Sequence, residues 1–219
     1  MKIAKLLTPI FLFFIVGCAT KFSESQKISL KNQLKEMVET DQIAAYIPQS
    51  KYKDYTTEQW NTFKDSVFTS HQNVLENIYK KYGFLGFDKV DKDGSQNFWI
   101  LVQHCDDFPE FQKDVLKSMK QEVKNNNASP RNYAYLYDRV QVNLGEKQLF
   151  GTQVDYEIIS ETVRATPKNG LLNSENIVRL RQEYELEPLK DYLNEMTKLH
   201  YEMNQSNYEK NGIKPFLYE

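Results

Sequence analysis

Apolar side chains recur three and four residues apart in one segment after another, a spacing that commits the chain to helices packed on their apolar faces. From Ile28 to Tyr46 the stripe is Leu30, Leu34, Met37, Val38 and Ala45. Thr56 or Thr57 caps a second helix, whose stripe runs Trp60, Phe63, Val67, Val74, Leu75 and Ile78 to about Lys81. The stretch DKVDKDGSQ, residues 88–96, reads as a polar loop; its Asp91, Asp93 and Gly94 lack the later glutamate of a calcium loop. Ser95 then caps a third helix, in which Phe98 to Val102 is apolar all round and belongs in the core. Asp107 caps a fourth helix supported by Pro109 and Glu110, with Phe111, Val115, Met119 and Val123 on its inner face. Ser129 and Pro130 open a fifth, lined by Tyr133, Leu136, Tyr137 and Val140.

Beyond Gly145 the pattern changes. Residues 147–163, KQLFGTQVDYEIISETV, combine glycine with β-branched residues, which predicts short strands or an irregular arm. Two more helices are expected, from about Ser174 to Leu186 and from Pro188 to Asn204. The fold class is therefore mainly α: a single globular helical domain over residues 28–205, of about six or seven helices with a small irregular or β arm. The tail, 206–219, is expected to be loose or docked by Phe216 and Leu217.

The N-terminus is not part of that domain. Lys2 and Lys5 precede an apolar run from Leu6 to Val16, well short of the roughly 20 residues that cross a bilayer. The run ends in Ile15-Val16-Gly17-Cys18, which fits a lipoprotein signal peptide over residues 1–17, with Cys18 acylated as the new N-terminus. Residues 18–27 then form a lipidated spacer. The expected location is the cell envelope, on the membrane through this anchor; with Ala19 after the cysteine, the outer membrane is favoured in a Gram-negative host. An ordinary secreted protein with an incidental cysteine is the weaker alternative.

Cysteine use agrees with a core-stabilised fold. The chain has 2 cysteines. With Cys18 consumed, Cys105 has no partner, so no disulfide is expected and about 200 residues must be held by their own core. A composition of 40% hydrophobic and 13% aromatic residues supports such a core, and a net charge of -2 gives no electrostatic case for nucleic acid. Cys105 is expected to be a small buried hydrophobe.

Several polar groups sit where apolar ones are expected. His104 lies on the stripe of Asn97, Ile100 and Leu101, and Asp106 falls at a helix C-terminus, where the macrodipole disfavours a carboxylate that faces no cation or donor. Asp41 continues the Leu34, Met37, Val38 stripe with Gln42 beside it, and Asp138 and Arg139 sit in mid-helix. Gln148, Gly151, Thr152 and Gln153 follow on the arm. The simplest way to offset these costs is for His104, Asp106, Asp138 and Arg139, with Asp41, Gln42 and Gln153 around them, to gather in one partly open site. A salt-bridge network that only holds helices in register is the serious rival.

The run Trp99 to Asp106, then Pro109, Phe111-Gln112, Ala128-Ser129-Pro130, Ala134-Tyr135-Leu136, Asp138-Arg139-Val140, Asn143, Gly145, Gln148 and Gly151-Thr152-Gln153, resembles a bacterial family known only as the domain of unknown function six-six-two-four. The resemblance extends from Asp41-Gln42 to about Leu186-Leu189. This chain departs from that pattern at Cys105, where alanine stands, and at Phe108, often aspartate. The resemblance implies that the polar groups form one pattern and implies no activity.

Two classes of function remain from sequence. One is a lipoprotein with a polar pocket for a small or anionic ligand, bound by Asp41, Gln42, Arg139, Gln148 and Gln153, or one whose polar groups only brace the core. The other is an envelope hydrolase using His104 as acid or base, with Asp106, Asp138 or Asp41 orienting it and Arg139 holding an anionic group. No H-E-x-x-H, G-x-S-x-G or C-x-x-C motif is present. A metal on one histidine and two carboxylates is a weaker alternative, and no cofactor is identified.

Overall fold

A computed structural model of the chain describes residues 22–219. The predicted signal peptide, Cys18 and the start of the spacer lie outside the described residues. Within them are eight α-helices and a small three-stranded sheet, so the protein is mainly α with a β arm.

The first helix, α1, spans Glu24–Ala44 and starts before Ile28, because Ser23 and Gln26 form a capping box that satisfies the first turn. Phe22 packs edge-on against Tyr82 just ahead of it. A single 3-10 turn, Ser50–Tyr52, leads to α2, Thr57–Tyr82, whose capping box is made by Thr56 and Gln59.

The expected polar loop at 88–96 is instead helical. Helix α3 runs Phe87–Gln103, broken only where Val90 and Asp91 leave helical geometry. Ser95 is a buried mid-helix residue, not a cap. Gly94 is there for packing: a Cβ at this position would lie 2.7 Å from Val90 Cβ and 3.0 Å from Lys31 Cγ, so glycine lets α3 approach α1. Lys27 and Lys31 clasp Asp91 at the break.

Helix α4, Pro109–Lys124, has Phe108 at its N-cap position with no side-chain cap, so Asp107 does not cap it. The turn that joins α3 to α4 is closed by backbone bonds instead, from Phe108 N–H to the Cys105 carbonyl and from Gln112 N–H to the Phe108 carbonyl. Helix α5, Pro130–Asn143, is capped by Ser129 as expected. Leu34, Leu75, Leu85, Val90, Phe98, Leu101, Val102, Val115, Met119, Leu136 and Phe150 meet in the main core, each at no more than 1% exposure. At about 1.5–3 kcal/mol for each large apolar side chain, that burial is the main force holding α1 to α5 together.

The arm is a hairpin, β1 Val154–Ile159 and β2 Thr162–Pro167, closed by Ser160 and Glu161, both at positive φ. The helix expected over 174–186 is a 3-10 turn followed by α6, Ile177–Glu183, which ends because Glu185 takes φ 55°. Helix α7, Leu189–Met203, packs under the hairpin in a second small core of Ala165, Tyr192 and Leu193. The tail is docked: after α8, Gln205–Lys210, strand β3, Lys214–Pro215, pairs in parallel with β2. Tyr218 is its anchor, donating to the Ala165 carbonyl, whereas Phe216 and Leu217 stay 39% exposed. Among the described residues no helix is long and apolar enough to cross a membrane.

Candidate functional site

Helix α1 delivers Asp41 to the interior, where it is fully buried. His104, the C-cap of α3, places Nδ1 2.7 Å from Asp41 Oδ2. Gln42 donates to the same oxygen at 3.0 Å. The other oxygen, Oδ1, lies 3.9 Å from Nδ1 of His71 on α2, and both atoms are buried without a hydrogen-bond partner. Burial opposes ionisation of Asp41, but the contacts from His104, His71 and Gln42 outweigh it and hold the carboxyl below its ordinary value of 3.8. A carboxylate only accepts, so the proton between Asp41 and His104 sits on Nδ1; in the neutral ring Nε2 then carries the lone pair. No described residue hydrogen-bonds Nε2, and the His104 side chain as a whole is 19% exposed. Phe68 packs against the ring, 5.7 Å between centroids.

His104 lines an open cleft of about 490 Å³ between the end of α1, α2, the turn from α3 to α4, and α5. Ala44, Ala45 and Tyr46 form one wall, Lys64, Asp65 and Phe68 another, and Asp106, Asp107 and Arg139 the third. The cost of Asp106 at a helix C-terminus is met by Arg139, whose Nε and Nη2 grip its two oxygens at 2.8 and 2.7 Å, and by Asn143 Nδ2 at 2.8 Å. Burial raises the Asp106 carboxyl, but this clasp, with Gln112 behind it, brings it below its ordinary range. Arg139 is thereby largely neutralised. With two cations against three carboxylates on the lining, the cleft is not built for a highly charged anion.

Asp138 does not join this site. Adjacent helical residues point about 100° apart, so Arg139 faces the cleft while Asp138 faces the arm. Its carboxylate accepts from the N–H groups of Leu149, Phe150 and Thr152 and from the Thr152 hydroxyl, at 2.9 to 3.2 Å. Burial pushes its carboxyl above the ordinary value, against the pull of those donors. Gln148 donates to the carbonyls of Gln153 and Lys168 and accepts from Gln153 N–H. Asp138, Gln148 and Gln153 thus form a second cluster that pins the 148–153 segment, aided by Gly151 at φ 70°. None of the three bonds to His104, Asp41 or Asp106.

Cys105 is buried beside the site, with Sγ 3.4 Å from the Leu101 carbonyl, and burial with the nearby Asp41 and Asp106 pushes its thiol up to about 12. It is not a nucleophile in this state. Among the described residues no group of three His, Cys, Asp or Glu is placed to hold a metal. His71, Lys64 and Phe68 were missed by sequence reasoning. Their signal was present: positions 64, 68 and 71 share one face of α2 and run into Leu75.

Mainly helical packing around a histidine, held by a buried carboxylate and open to a polar cleft, defines a helical domain with an Asp-His dyad. The chain belongs to the family of unknown function DUF6624, whose profile matches residues 28–203. No curated protein and no solved structure matches it.

Proposed function

We propose that the cleft is a small-molecule site in a lipid-anchored envelope protein and that His104 is its proton-transfer group, activating water for hydrolysis. The observation that carries this reading is the Asp41-held Nδ1 of His104 in a partly exposed ring that lines the cleft. An ionised carboxylate behind an imidazole fixes the tautomer and stabilises the imidazolium that forms when Nε2 takes a proton. With Cys105 buried, water is the candidate nucleophile. Lys64, which makes no ion pair with described residues, and the uncommitted Nη1 of Arg139 are the candidate donors to a developing oxyanion.

A purely structural role fits less well. A network built only to brace helices is usually sealed, whereas the His104 side chain is 19% exposed and lines the cleft. The test is turnover of an activated ester such as p-nitrophenyl acetate by the purified protein. His104→Ala is expected to lower the rate about 10²- to 10⁴-fold, the usual contribution of a positioned acid or base. Equal rates in the two proteins would refute the reading. The anchor rests on the lipoprotein-type sequence ending in Gly17-Cys18. It is tested by palmitate labelling in cells, which Cys18→Ala is expected to abolish; retained label would place the lipid elsewhere.

A further inference from the structure

The end of α1 and the 3-10 turn after it form a second concavity beside the cleft. Ile43, Tyr46 and Ile47, three and four residues apart, are 45, 62 and 64% exposed. With Gln42 and Tyr52 they line a mostly apolar groove of about 560 Å³. Three large apolar side chains clustered in water mark a binding surface more often than chance exposure. Two residues join groove to cleft. Tyr46 lines both, and Gln42, at the groove, donates to the same Asp41 oxygen that holds His104.

We infer that the substrate of the cleft is an acyl ester whose acyl chain lies in the groove between Ile43 and Tyr52; this rests on the hydrolytic reading above. The carbonyl then sits at the junction, beside His104. As His104 Nε2 takes a proton from water, the water oxygen bonds to the carbonyl carbon. The bond from that carbon to the ester oxygen breaks, and His104 returns the proton to the departing oxygen. The products are a carboxylic acid and an alcohol, and no further reactant is required. A groove and cleft of this size fall in the range of small-molecule sites. Three side chains fall short of the roughly 800 Å² per partner that a stable protein interface buries, which disfavours a second copy as the occupant.

The experiment is the chain-length dependence of kcat/KM for p-nitrophenyl esters from acetate to decanoate, measured for the wild-type protein, Ile47→Asn and His104→Ala. The wild type is expected to gain up to about fourfold for each methylene until the groove is filled. Ile47→Asn, altered at an exposed position, should flatten that slope. A flat wild-type profile with turnover that still depends on His104 overturns the acyl groove and leaves the hydrolytic reading standing. No His104-dependent turnover of any ester overturns both. A wild-type dimer that Ile47→Asn dissociates in sedimentation would make the groove an interface between copies and overturn the proposal.

Discussion

Nδ1 of His104 and Oδ2 of Asp41, 63 residues apart in the chain, lie 2.7 Å apart at the inner end of an open cleft. The pair joins the C-terminus of α3 to the inner face of α1, so one contact fixes both the ring's orientation and the seam between two helices. Asp41→Asn keeps the shape and removes the charge that selects the Nδ1–H tautomer. It is expected to reduce ester turnover to near the His104→Ala level, while stability falls by only about 1 kcal/mol, since an amide can still bond to the ring. Parallel kinetics and urea unfolding check this; full activity in Asp41→Asn would remove the carboxylate from the mechanism.

Asp138 and His104 should part company in stability. Asp138→Ala strands the buried N–H groups of Leu149, Phe150 and Thr152. A loss of about 3 kcal/mol or more is expected. His104→Ala opens a partly exposed site in which water can take the ring's place against Asp41, and a smaller loss than for Asp138→Ala is expected, as is usual for groups arranged for a ligand. Thermal unfolding of the two variants measures the contrast, and a large loss in both would favour the structural network.

Acid should weaken the fold through Asp41 and Asp106. Both carboxyls are held below 3.8 in the folded state, so in that window the unfolded chain binds more protons than the folded one. Their contribution is complete above the ordinary value and is lost as pH falls through the folded values. Unfolding in urea at a series of pH values from 7 to 3 is expected to show this fall. It should be shallower in Asp106→Asn, and an unchanged acid limb in that variant would mean that the clasp by Arg139 is not felt.

Cys105 should label slowly in the native protein, because its thiol is enclosed and pushed up to about 12. Reaction with a thiol reagent at pH 8 is expected to require unfolding. Fast native labelling would show that the segment between α3 and α4 opens readily.

The helices were legible from sequence because their evidence is local. Apolar spacing and caps at Thr56 and Ser129 depend on residues within a turn or two, and they placed α2 and α5 closely. Residues 88–96 misled because Asp-Gly chemistry favours turns, whereas Gly94 serves a contact with Lys31, 63 positions earlier, that no local rule contains. The same division holds for the site. That Asp41, His104, Asp106, Asp138 and Arg139 each needed a partner followed from sequence, since an unmatched polar group on an apolar stripe is costly wherever it occurs. Which partner each found was decided by tertiary packing. Helix phase turned Arg139 toward Asp106 and Asp138 toward the backbone of 149–152, and the approach of α1 to α3 brought Asp41 to His104. Sequence by itself thus determined that this protein is mainly helical and which of its helices' polar residues could not stand alone; their sorting into one open cleft and one sealed anchor belonged to the fold, because only there do distances between distant residues exist.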